Sequence, residues 1–135
     1  MKPVALGMML WLAGSLAAQA APSANRIERV PIRGSATITV HVYERPGATS
    51  VVLVYPGGAG FVRPQLDQNG LPVRLVAPFL AAGHEVLLVD VPSDLRGLNG
   101  HRMSEAHREE LQAELRYARS RGHPRVWLLG HSRGT

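Results

Sequence analysis

The 135-residue chain contains no cysteine. That absence excludes disulfides, thiolate metal sites and cysteine lipidation. Lysine is almost missing as well. Lys2 is the only one, so all other cationic side-chain charge rests on fourteen arginines, set against ten acidic residues. The arginines are scattered, with acids interleaved. No stripe of like charge is available for a nucleic acid or another polyanion, so no nucleic-acid partner is expected. Repeats and low-complexity segments are lacking after the first twenty residues. A long apolar run is lacking too. The best candidate, residues 4–17, falls short of the roughly 20 residues needed to cross a bilayer.

That apolar stretch reads instead as the core of a secretory signal. Lys2 supplies the positive start, Val4 to Ala17 the apolar region, and Ala18-Gln19-Ala20 a small-residue cleavage site. Cleavage after Ala20 removes 20 of the 135 residues and leaves 115, enough for one small domain. A secreted or periplasmic location follows as an expectation, with no stable membrane anchor after cleavage.

Beyond the leader, the hydrophobic pattern divides the chain. Residues 26–32 alternate, with Ile27, Val30 and Ile32 apolar, and read as an edge-type strand. Residues 37–43 alternate strictly, placing Ile38, Val40 and Val42 on one face of a half-buried strand. Gly34-Ser35 between them predicts a hairpin. Three later segments are continuously apolar: 51–55, 85–91 and 125–129. Such runs suit strands buried on both faces of a parallel sheet. Two helices are expected between them. The first spans Val73 to Ala82 with Gly83 as its C-terminal cap, and Pro78 restricts regular helix to its later part. The second runs from the cap Ser104 to about Arg121, ends at Gly122, and lays Leu111, Leu115 and Ala118 on the sheet. Strand, helix, strand, helix, strand is the alternation of an α/β fold with right-handed parallel crossovers.

Two motifs sit at the carboxyl ends of these strands, where open α/β sheets bind ligands. The first is Tyr55-Pro56-Gly57-Gly58-Ala59-Gly60-Phe61. The second is Gly130-His131-Ser132-Arg133-Gly134, a G-x-S-x-G directly after the run Val126-Trp127-Leu128-Leu129. A serine at a sharp strand-to-helix turn exposes its hydroxyl as a nucleophile, and side chains in place of Gly130 or Gly134 would collide with the turn. Attack on an acyl carbonyl places negative charge on its oxygen, which backbone N–H groups can hold. The expected donors are Arg133, following the nucleophile, and Gly58 or Ala59 in the glycine-rich loop.

From about Arg26 to Thr135 the chain resembles the N-terminal half of an α/β-hydrolase-fold enzyme of the serine esterase and lipase kind. The resemblance implies a mostly parallel sheet with a leading antiparallel hairpin, forming a three-layer sandwich, and residues 21–135 as the N-terminal part of the domain. His131 fits the family, in which histidine often precedes the nucleophile. Pro56 departs from it, since many lipases and esterases have histidine there. The family order of serine, acid, histidine implies that both partners of Ser132 lie beyond Thr135, so the chain reads as truncated and inactive alone. The implied partner is a small acyl substrate. No cofactor and no metal are implied.

As the base, His131 is disfavoured, because the turn points its side chain away from that of Ser132. His41 lies in the hairpin, His84 at the wrong end of its strand, and His107 and His123 beside a surface helix. His101 is the best placed, in a loop that also offers Asp90 and Asp94. A plainer role for those two acids is to satisfy loop amides and Arg96. The polar segment 61–70 is expected to cover part of the pocket, with Arg63 solvated or facing a substrate carboxylate. Two further readings stay open: a non-catalytic degenerate hydrolase or small α/β binding domain, and a dinucleotide-binding oxidoreductase. The latter rests only on Gly58-x-Gly60, with Arg63 where a third glycine belongs.

Overall fold

The computed structural model describes residues 26–64 and 69–134. The leader assigned to residues 1–20 lies outside the described residues, as do positions 65–68 of the polar loop.

Five strands form one sheet in the order β1-β2-β4-β3-β5. β1 (Arg26–Arg33) and β2 (Ala36–Tyr43) form the expected antiparallel hairpin, turned at Gly34 with φ of 49°. β2 then pairs antiparallel with β4 (His84–Pro92). β3 (Ser50–Tyr55) lies parallel to β4 on one side and to β5 (Val126–Gly130) on the other. The three continuous apolar runs are therefore the parallel strands, as their patterning predicts.

The helices pack on opposite faces. α1 (Leu71–Ala81) buries Val73 and Val76 against Val52, Val54, Val86 and Leu88. α2 (Glu105–Ser120) sets Tyr117 and Ala118 against Val51, Leu53, Leu87 and Val89. Alternate residues of β3 and β4 thus feed two cores, which is the physical reason those strands carry no polar face. Among the described residues no helix is long and apolar enough to cross a membrane.

Four sequence expectations need correction. α1 begins at Leu71 and contains Pro78 within its span, with Pro72 in its first turn. The helix continues past Pro78 because Phe79 and Leu80, beyond it, pack on the same core as Val73 and Val76, and tertiary packing outweighs propensity. β2 is more buried than alternation suggests, because it lies inside the sheet and also buries His41 and Tyr43. β5 is buried less than its composition suggests. It pairs with β3 alone among the described strands, and Trp127 and Leu128 are each 54% exposed.

The fourth correction concerns α2. Its limits are as expected: Ser104 Oγ accepts the His107 N–H at 3.1 Å, and Gly122 follows with φ of 81°. Its buried residues, however, are Glu110, Ala113, Glu114 and Ala118. Leu111 and Leu115 are only half-buried. Two glutamates occupy the face that the leucines were expected to fill, because each finds a partner on the sheet.

Candidate active site

Three loops converge beyond the carboxyl ends of β3, β4 and β5. The last of them carries Ser132, which has φ of 55° and is the one non-glycine residue with positive φ among the described residues. A left-handed conformation costs a side-chain-bearing residue about 1–2 kcal/mol. The surrounding contacts hold it there. The His131 N–H donates to the Tyr55 carbonyl at 3.2 Å, and the Gly134 N–H donates to the His131 carbonyl at 2.9 Å. Ser132 opens a single 3-10 turn, Ser132–Gly134, and is exposed.

Glycine is required on both sides of this turn's contact with β3. A Cβ on Gly134 would lie 2.6 Å from the Tyr55 carbonyl oxygen and 2.8 Å from that of Pro56. Both are backbone atoms, so no side-chain motion relieves the clash. A Cβ on Gly57 would lie 2.8 Å from the His131 carbonyl oxygen and 3.0 Å from Ser132 Cβ. The glycine-rich loop and the serine turn thus touch through their backbones. Gly57 was part of the sequence motif, but its role in that close approach was not legible there.

The rest of the loop is a tight turn. The Gly60 N–H donates to the Gly57 carbonyl at 3.1 Å, and Gly58 and Gly60 have φ of 58° and 92°. Gly58 is exposed and Ala59 half-buried. The segment after β4 braces this turn from outside. Leu98 N–H donates to the Ala59 carbonyl at 2.8 Å. Arg102 donates to the Gly58 carbonyl at 2.8 Å and to that of Pro56 at 3.4 Å. Burial, and then the charge of Arg133, lower the pKa of Arg102. Arg102 was not singled out in the sequence, where nothing marks it apart from other loop arginines. Phe61 is capped by Arg63, whose guanidinium carbon stands 4.9 Å from the ring centroid.

Below the turn lies a cavity of about 470 Å³, lined in part by Tyr55, Arg102, Glu114, Leu128, Gly130 and Gly134. Tyr55 Oη donates to Glu114 Oε2 at 2.8 Å. Burial drives the Glu114 carboxyl up to about 7, and burial followed by the neighbouring Glu114 charge drives the Tyr55 phenol up as well.

The histidines and the loop acids each take a defined place. Asp90 Oδ1 accepts the N–H of Val62 at 3.1 Å and of Val91 at 2.7 Å, the loop-amide role expected of it. Asp94 pairs with Arg33 at 2.8 and 3.1 Å, instead of Arg96. His101 and His107 both bind Glu110, His84 meets Ser50, and His123 meets Glu85 and the Ala48 carbonyl. His41 is buried in β2, where burial pushes its pKa down. His131 is exposed beside the nucleophile candidate.

The strand order, the strained serine after β5 and the glycine loop against it can be set beside known proteins. The chain is similar to an alpha-beta serine hydrolase homologue from Coxiella burnetii, with a TM-score of 0.57 and 17% sequence identity. The match covers 84% of this chain and 54% of that one, so this chain spans about half the length of its structural relative. The fold is α/β-hydrolase-like. No protein-family model and no curated protein matches the chain. At this identity the likeness concerns the fold. Within a hydrolase-like sheet, Gly130 to Gly134 occupy the turn after β5 and Pro56 to Phe61 the turn after β3.

Proposed function

We propose that this protein is an exported serine hydrolase acting on an ester or related acyl substrate, with Ser132 as nucleophile. The observation that carries the proposal is the exposed, left-handed Ser132 held against a glycine-rich loop at the carboxyl edge of a parallel sheet.

The chemistry follows from that placement. Ser132 Oγ attacks the acyl carbonyl and forms the C–O bond while its proton passes to a base. The carbonyl oxygen becomes an oxyanion, held by the N–H of Arg133 and by that of Gly58 or Ala59. Loss of one such donor costs about 3–4 kcal/mol of transition-state stabilisation where it has been tested. Collapse of the intermediate expels the alcohol, which takes the proton from the base. Water then repeats the sequence on the acyl-enzyme and releases the acid.

The base and its orienting acid are taken to follow Ser132 in the chain, as the hydrolase order implies. In the same reading residues 1–20 are a cleaved export signal, 21–135 are the N-terminal part of a three-layer domain, and no cofactor takes part. Hydrolysis of a p-nitrophenyl ester by the protein expressed from its complete reading frame, abolished in Ser132→Ala, supports the proposal. Turnover that persists in Ser132→Ala overturns it.

A further inference from the structure

On the wall of the cavity that lies below the serine turn, the first turns of α2 and the loop before it assemble a second group of side chains. His101 Nε2 lies 2.9 Å from Glu110 Oε2 and 3.0 Å from Oε1, and His107 Nδ1 lies 3.0 Å from Glu110 Oε2. One donor atom from each of the three residues lies within 4.8 Å of the others. The spacing on α2 explains the pairing: His107 and Glu110 are three residues apart and share a helix face. Glu110 is fully buried, yet its carboxyl is held below the ordinary glutamate range. Burial alone would raise it, but hydrogen bonds from His107, Arg33 and His101 outweigh that effect.

We propose that His101, His107 and Glu110 form a binding site for one divalent transition-metal ion of the zinc class. Two imidazoles and one carboxylate are a donor set that zinc accepts while keeping a fourth position for water. Bonds of about 2.0–2.2 Å in tetrahedral geometry place ligand atoms about 3.3 Å apart. The nitrogen–oxygen separations of 2.9 and 3.0 Å are already close to that spacing. His107 and Glu110 line the 470 Å³ cavity, which gives an entry path and room for the water.

The surroundings suit a cation. Arg33 Nε holds Glu110 Oε1 at 2.6 Å, which fixes the carboxylate and leaves Oε2 toward the imidazoles. Hydrogen-bonded support of this kind around a ligating group tunes metal sites. The positive charge of Arg33 is balanced by Asp94, which accepts from both of its terminal nitrogens. With neutral imidazoles, the group of Arg33, Asp94 and Glu110 therefore carries one net negative charge. The positive end of α2, whose first turn carries His107, opposes a cation, and the buried negative charge of Glu110 offsets it. Each neutral imidazole moves its proton to the other ring nitrogen, Nδ1 of His101 beside Ser104 Oγ and Nε2 of His107, and gives the freed lone pair to the metal.

Zinc titration against a chromogenic chelator at neutral pH tests the site, with circular dichroism confirming that each sample is folded. The expected result is one zinc per chain, no comparable binding of magnesium, and affinity at least about 100-fold weaker in His101→Gln and His107→Gln, since loss of outer-sphere partners alone costs 10–100-fold. His84→Gln is expected to bind as the parent does. Should a cluster variant fail to fold, the imidazole proton resonances of the parent protein decide. Those of His101 and His107 must shift together with one equivalent of zinc. Absence of binding by folded protein, parental affinity in a folded His101→Gln or His107→Gln variant, or shifts confined to other histidines would show that the cluster is only an internal ion network.

Discussion

Ser132 and Gly134 place opposite demands on one turn. Ser132 accepts a left-handed backbone despite its side chain, whereas Gly134 admits no side chain because two carbonyl oxygens of β3 and its following residue occupy the space. Gly134→Ala is expected to destabilise the protein by about 1–3 kcal/mol, the usual cost of overpacking a fixed contact. A urea unfolding midpoint equal to the parent's would contradict that clash. Arg102 acts at the same scale but through the loop it braces. Truncating it to alanine removes the bonds to the Gly58 and Pro56 carbonyls. If the loop supplies an oxyanion donor, kcat for an acyl substrate falls by about 10–100-fold, somewhat less than for outright loss of a donor. KM changes little, and thermal stability stays near the parent's. An unchanged kcat would remove Arg102 from the positioning of that loop. The serine and its glycines were legible as a motif, because the spacing encodes the turn. Arg102 was not, since its partners lie 44 and 46 residues away.

The helix α2 shows the same division at the scale of an element. Its ends were legible from Ser104 and Gly122, which act locally through a cap and a positive φ. Its buried face was not. A hydrophobic pattern weights Leu111 and Leu115, while the buried positions belong to Glu110 and Glu114, whose partners Arg33 and Tyr55 are 77 and 59 residues away. One consequence can be measured by pH. Glu114 carries its proton up to about 7 in the folded state, against 4.5 ordinarily, because burial penalises the charge; Tyr55 and the Glu110 charge are its other influences. Below about pH 4.5 the group is protonated in both folded and unfolded chains. Between there and pH 7 the unfolded chain loses its proton first. Stability therefore falls by about 3 kcal/mol across that window through this one group, and the effect is complete above it. Glu114→Gln is expected to abolish this slope and to be the more stable protein at neutral pH. Parallel stability–pH curves for the two proteins would contradict the placement of Glu114.

At the scale of the whole molecule, the fold class and the parallel arrangement of β3, β4 and β5 were legible because continuous apolar runs separated by helices allow few topologies. The order β1-β2-β4-β3-β5 was not, since pairing across a sheet depends on contacts that no local pattern encodes. The same order sets Ser132 beside the loop after β3, because β5 is hydrogen-bonded to β3 along its length. The proposed function depends on one chemical property of the assembled edge: Ser132 acting as a nucleophile. The direct measurement is labelling by a fluorophosphonate, applied to the protein expressed from its complete reading frame, with the modified residue located by peptide mass analysis. The account predicts a single adduct on Ser132 that is missing in Ser132→Ala. A protein that is folded yet carries no adduct at Ser132 would contradict it.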